Sequence, residues 1–301
     1  MKEEFIRQLT VVVKAKLGEE YEVLSKEALK NNDIRLTGIL IRRHGDVVAP
    51  VIYIDDILQR IKKGDITMQE GIDEVFKVPL ESMEDMTAAK TVRNLTKQDI
   101  LTHVIHGVIN AEYNQEYLLD KPYRKFLDLA VVYRIFLEET ENYYKVIVLT
   151  NDLCTKCGVN LTELEEAAKK NTEQRGFRVE WLHDILSELV ESTNLDKQES
   201  GELLICSLKG ASQRDSYGAC VLLYEDVFKE LSHKLNSNLY ILPSSIHEVL
   251  VLPTEFAPNS LNQIVKEINR SGVINPADIL SDSVYYYNKE TNRVTIAEKI
   301  E

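Results

Sequence analysis

The sequence predicts an α+β fold, with mainly antiparallel sheets built from repeated strand–turn–strand–helix units and helices packed on one face. Three observations carry this. Short β-rich runs come in pairs around polar turns. An amphipathic stretch follows each pair, its apolar residues three and four positions apart. Stop and start signals stand where those helices need them, such as Gly64, Gly272 and the pair Asn160 and Glu163.

The elements follow in order. Phe5, Leu9, Val12, Val13 and Leu17 describe one face of an N-terminal helix that stops at Gly18. In "GILIRRHGDVVAPVIYIDDILQRIKKG" a strand around Ile39–Ile41 turns at "HGD" and returns as "VVAPVIYI". It then enters a helix with Ile57, Leu58 and Ile61 inward. The second unit, "LAVVYRIFLEETENYYKVIVLTN", turns near Glu141–Asn142, and its helix carries Leu161, Leu164 and Ala168 on one face. The third runs from "ELLICSL" through a long polar loop to "ACVLLY", then a helix with Val227, Phe228, Leu231 and Leu235 inward.

In the fourth unit "LYIL" and "HEVLVL" flank "PSS". Its helix presents Leu261, Ile264, Val265 and Ile268, with Ser260 and Gln263 as a capping box. The stretches "EGIDEVFKV" and "RVEWLHDILSELVEST" read as connecting helices, the second with Leu182, Ile185, Leu186 and Leu189 on one face. "VYYYNKETNRVTIAE" reads as a terminal hairpin. Residues 51–62 line up with 221–232, through duplication or through convergence on the same strand-to-helix junction. Polar stretches near 81–94 and 191–202 divide the chain into closely packed segments 1–94, 95–200 and 201–301.

Composition bounds the function. The chain has 301 residues, 44% hydrophobic and 28% charged, enough to bury a core. Its net charge of −13 offers no basic surface for a phosphate backbone, which argues against nucleic acid as a partner. No apolar stretch approaches the ~20 residues of a membrane span. Glutamates directly after Lys2 exclude a signal peptide, so the chain reads as cytoplasmic with reduced cysteines.

Several groups of residues could carry chemistry. Ser244, Ser245, His247 and Glu248 crowd one turn, but no strained nucleophile elbow or oxyanion hole accompanies them. The string from Ser245 to Glu248 is also a capping box able to start a short helical turn. Cys154 and Cys157 form a CxxC with Asn151 and Asp152 as caps before it. Cys206 and Cys220 stand in apolar runs, where cysteine acts as a small hydrophobe, so a four-sulfur zinc site is not assembled. His103 and His106 lack the remaining ligands of a metal site and point to opposite faces if "ILTHVIHGVI" is a strand. Arg42 and Arg43 sit at a hairpin end, where tandem guanidiniums can clamp an anion.

The strings "ILPSSIHEV" (Ile241–Val249), "LTN" (Leu149–Asn151) and "GA" (Gly218–Ala219), with "IRRHGDVVAPVIYIDDI", resemble those of domain-of-unknown-function family 5688 of gut Firmicutes. The resemblance covers about residues 37 to 255 and implies a bacterial protein with no assigned activity, while the cysteines of "CTKC" lie outside the family's pattern.

The leading reading is therefore a soluble, non-enzymatic binding or regulatory protein with an unidentified protein or small-molecule ligand and no cofactor. Its candidate ligand surface is the hairpin ends, with Asn151, Asp152, Arg42 and Arg43. The first alternative is a hydrolase with His247 as base, Glu248 or Asp152 orienting it, and Ser244 or Ser245 as nucleophile. The second is metal binding through Cys154 and Cys157.

Overall fold

The computed structural model describes residues 1–44, 51–77, 94–139, 144–189, 203–210, 217–256 and 260–297. Two compact units emerge, one of residues 1–30 and 34–95, the other of residues 31–33 and 96–301. The "HGD" turn beyond His44, the Glu141–Asn142 turn and nearly all of the two polar boundary stretches lie outside the described residues.

In the first unit, α1 (Lys2–Leu17) buries Phe5, Leu9 and Val13, the stripe its spacing demands. Three antiparallel strands follow in sheet order: β1 (Tyr21–Leu29), β2 (Arg35–Arg43) and β3 (Val51–Tyr53). Helices α2 (Asp55–Lys63) and α3 (Met68–Val75) complete it, α3 starting at a Thr67–Glu70 capping box. Ile39, Ile41, Ile52, Ile57, Ile72 and Val75 close the core over Phe5 and Leu9. The hairpin of β2 and β3 with its helix stands as the sequence indicates. β1 was not anticipated, because its run "YEVLSKEAL" is too polar to announce a strand without its partner.

The second unit carries two antiparallel sheets. One comprises β4 (Val104–Asn110), β5 (Tyr123–Phe126), β6 (Leu129–Glu139) and β7 (Tyr144–Val148), with β4 along one edge of β6 and β5 and β7 along the other. Helices α4 (Lys97–His103), α5 (Asn151–Cys157) and α6 (Leu161–Arg175) join this part of the unit. Asn160 and Glu163 form the expected capping box, and Leu164 and Ala168 are buried, whereas Leu161 is exposed at the first turn.

The second sheet has six strands. β8 (Phe177–Trp181) leads to α7 (Leu182–Leu189), and β9 (Leu204–Leu208) to α8 (Glu225–Leu235). β10 (Leu239–Leu242) and β11 (Glu248–Pro253) precede α9 (Leu261–Arg270), and β12 (Tyr285–Asn288) pairs β13 (Arg293–Ile296) as the terminal hairpin. The strand order is β13-β12-β10-β11-β9-β8.

Four expectations need correction. "ACVLLY" is not a strand: Gly218–Leu223 forms a 3-10 run whose first five residues are buried. β9 already pairs with β8 on one side and β11 on the other, so no edge is left for a third partner. The same fact makes 177–181 a strand and not a helix start, since its register with β9 (Trp181↔Leu204) supplies the ladder. "ILTH" is the end of α4, which a Thr96–Asp99 capping box starts, so His103 and His106 belong to different elements. In α9 Ser260 makes no side-chain cap, Ile268 is 45% exposed, and Asn269 takes the buried position, donating to the Ser281 carbonyl and Asp282. The aligned stretches 51–62 and 221–232 also differ, one holding a strand and the other the 3-10 run before the helix.

The largest core joins the two sheets of this unit. Ile105 and Val132 from the first meet Cys206, Val249 and Tyr285 from the second around the 3-10 run. Gly218 is there for close approach: a Cβ would collide with the Leu208 amide nitrogen and the His247 carbonyl.

Candidate functional site

The turn between β10 and β11 holds Ser244, Ser245 and His247, and its polar groups serve its own backbone. Ser245 Oγ accepts the His247 N–H at 3.0 Å, and the Ser245 N–H donates to the Glu248 carbonyl at 3.2 Å. The Ser244 hydroxyl donates to Glu248 Oε1 at 3.4 Å. No helical turn starts at Ser245, because Glu248 already begins β11. The His247 ring is committed elsewhere. Its Nδ1 accepts the Tyr217 backbone N–H at 3.1 Å, which places the ring proton on Nε2, 3.5 Å from Asp278 Oδ1. Neither ring nitrogen meets the hydroxyl of Ser244 or Ser245, so the structure gathers these residues without forming a nucleophile–base contact.

From His247 a stack leads inward. Its ring centroid lies 5.3 Å from that of Tyr217, whose ring also lies under Arg134, with the guanidinium carbon 3.9 Å from the ring centroid, and edge-on to Phe136. Tyr217 holds this position with φ 61° and ψ 26°, a left-handed conformation that costs an aromatic residue of order 1 kcal/mol or more. Arg134 comes from the middle of β6 and is 2% exposed. Its Nε and Nη1 are buried and donate to nothing, and no acidic side chain pairs with it among the described residues. Opposite, Gly107 of β4 leaves the space the guanidinium fills, since a Cβ there would collide with Nη1. Arg175, over the Phe136 ring at 4.6 Å, adds a second guanidinium whose charge, like that of Arg134, acts on buried Cys220.

Arg134 escaped the sequence reading. Its only signal is a single charge in the apolar run "LAVVYRIF", where alternation alone does not say whether its face is wet.

The opposite face of β6 carries another polar cluster. His106, 1% exposed, sets Nε2 3.2 Å from Glu165 Oε2 and Nδ1 2.8 Å from the Tyr224 hydroxyl. Tyr133 donates its hydroxyl to Glu165 Oε2 and Arg124 its Nε–H to Oε1, both at 2.8 Å. Burial alone would raise the Glu165 carboxyl. The hydrogen bonds from His106 and Tyr133, with the charges of His106 and Arg124, outweigh it and hold the group at about 2.

A family model describing a family of unknown function, DUF5688, matches residues 2–289. The chain belongs to DUF5688. No curated protein and no solved structure matches it. Two of the four strings that carry the resemblance to DUF5688 meet at the site just described: Gly218 and Ala219, next to Tyr217, abut the 241–249 turn, with the Ala219 N–H on the Ile246 carbonyl.

The remaining candidates of this DUF5688 member belong to different elements. Arg42 Nε donates to Glu22 Oε1 at 2.8 Å and Arg43 Nε to the Tyr21 hydroxyl at 2.9 Å, so the two guanidiniums engage separate residues of β1. Asn151 and Asp152 are exposed first residues of α5, and its cap is Thr150, whose hydroxyl accepts the Leu153 N–H. Cys154 therefore sits inside the helix and not at its start, and burial, with Cys157 beside it, pushes its thiol up to about 11. A redox dithiol requires the opposite shift. The four cysteines are free thiols, and no group of three or more His, Cys, Asp or Glu is placed to hold a metal among the described residues. Two surface grooves, one of ≈ 440 Å³ lined by Trp181, Leu204 and Leu231, the other of ≈ 470 Å³ lined by Ala111, Leu118 and Tyr123, do not include the His247 turn.

Proposed function

We propose that this DUF5688 chain is a binding or regulatory protein, with recognition centred on the Arg134–Tyr217–His247 stack and the 243–247 turn. The observation that carries this is the state of His247: both ring nitrogens are engaged by Tyr217 and Asp278, and the adjacent serines are tied into the turn. A general base needs a nitrogen free to take the nucleophile's proton. The partner is a small molecule or a protein, and the charge of −13 weighs against nucleic acid. Four free thiols support a reducing, cytoplasmic setting, and no described helix is long and apolar enough to cross a membrane. Incubating the intact chain with a fluorophosphonate probe and measuring its mass tests the reading. No adduct is expected. An adduct on Ser244 or Ser245 that His247→Ala abolishes would establish the hydrolase instead.

A further inference from the structure

We propose that β8 is a self-recognition edge, through which two copies of this chain pair their six-stranded sheets antiparallel about Val179. The pairing is independent of the Arg134–Tyr217–His247 stack. β8 ends the strand order of its sheet, and among the described residues no strand pairs with its outer side. The Lys209 N–H donates to the Gly176 carbonyl and the Leu182 N–H to the Leu203 carbonyl. With the register of β8 on β9, these bonds put Arg178 and Glu180 in the hydrogen-bonded pairs. Phe177, Val179 and Trp181 therefore turn their own N–H and C=O groups outward. Val179 is 37% exposed, and no proline or bulge blunts this edge.

The strand "FRVEW" is chemically symmetric about its centre. An antiparallel copy centred on Val179 sets Phe177 opposite the partner's Trp181 and Val179 opposite the partner's Val179. Each of these residues has outward backbone groups, so every outward N–H meets an outward C=O. The same register sets Arg178 opposite the partner's Glu180, and Glu180 opposite the partner's Arg178. Within one chain Arg178 Nε stands 3.9 Å from Glu180 Oε2, too long for a hydrogen bond, whereas opposite charges directly across a ladder stabilise it. The aromatic and valine pairs share the face of Leu204 and Cys206. There the groove of ≈ 440 Å³ lined by Val179, Trp181, Leu204 and Leu231 leaves space beside the edge. A two-fold axis supplies this complementarity without a second kind of partner. The other end of the sheet, β13 ("RVTI"), has no acid to answer Arg293. A ladder of 5 residues is small for an interface, which sets the dissociation constant on the order of 1–100 μM.

Sedimentation velocity of the intact chain, from about 1 to about 300 μM, is the test. The wild type is expected to pass from monomer to dimer within that range. Val179→Pro removes an outward N–H and leaves the bonds to β9 in place, so it should stay monomeric throughout with the far-UV circular dichroism of the wild type. Arg178→Glu and Glu180→Arg each set like charges opposite one another and should weaken self-association at least tenfold. An equimolar mixture of these two variants restores opposite charges at both positions and should dimerise, as should the double variant Arg178→Glu/Glu180→Arg. If Val179→Pro fails to fold, the charge variants decide alone. A wild type that stays monomeric, a folded Val179→Pro chain that dimerises like the wild type, or charge variants that regain no association on mixing overturns the proposal.

Discussion

Tyr133 and Arg134 are neighbours on β6, and alternation sends them to opposite faces of one sheet, where polar groups meet opposite fates. On the Tyr133 face every donor finds an acceptor: Tyr133, His106 and Arg124 all converge on Glu165. On the Arg134 face a unit charge of the opposite sign is buried more completely than Glu165, and its Nε and Nη1 find no acceptor among the described residues beneath the Tyr217 ring. The first arrangement is complete within the chain and behaves as a structural lock. The second leaves Nε and Nη1 of Arg134 without acceptors among the described residues. A buried polar group is informative when its hydrogen bonds do not close.

The contrast can be broken or sharpened by substitution. The largest effect belongs to Glu165→Ala, which strips the acceptor from buried His106 and Tyr133. A loss of about 3–4 kcal/mol is expected in urea unfolding, and a loss below 1 kcal/mol would dissolve the idea of a lock. Gly107→Ala comes next, at about 1–3 kcal/mol, through collision with Arg134. Its cost should shrink by at least half in the Gly107→Ala/Arg134→Met double variant, since the clash partner is gone, and simple additivity would show that Gly107 serves something else.

Acid titration then separates the faces. The folded-state value of Glu165, about 2, lies below its ordinary 4.5, so its stabilisation is fully present above 4.5 and is lost as pH falls towards 2. Glu165→Gln should cost about 2–3 kcal/mol at pH 7, and the gap to wild type should close between pH 4.5 and 2. A gap independent of pH would mean that shape, not charge, matters there. Smallest is Arg134→Met without ligand: stability unchanged or raised by up to about 1 kcal/mol. A loss above 2 kcal/mol would make Arg134 a structural residue like Glu165.

Much of the fold was legible because it is local. The stripe of Phe5, Leu9 and Val13, the Asn160–Glu163 cap and the β10–β11 and β12–β13 hairpins each lie within a few residues. What failed was the assignment of runs whose state depends on a distant neighbour. "ACVLLY" has strand composition and becomes a 3-10 run because β11 occupies the ladder beside β9. His106 read only as half of an incomplete His103/His106 metal pair because its partners, Glu165 and Tyr224, lie 59 and 118 residues away. The turn at 243–247 was found, but the residues that engage His247, Tyr217 and Asp278, come from elsewhere in the chain.

By itself, then, the sequence determined the α+β class, the helical faces, the caps and the DUF5688 resemblance, since periodicity and capping act over one or two turns of chain. Only the tertiary structure decided which strands pair, which serines and histidines are already satisfied, and that Arg134 is not. Burial and hydrogen-bond closure are properties of everything that packs around a group, and most of what packs around Arg134 is remote from it in sequence.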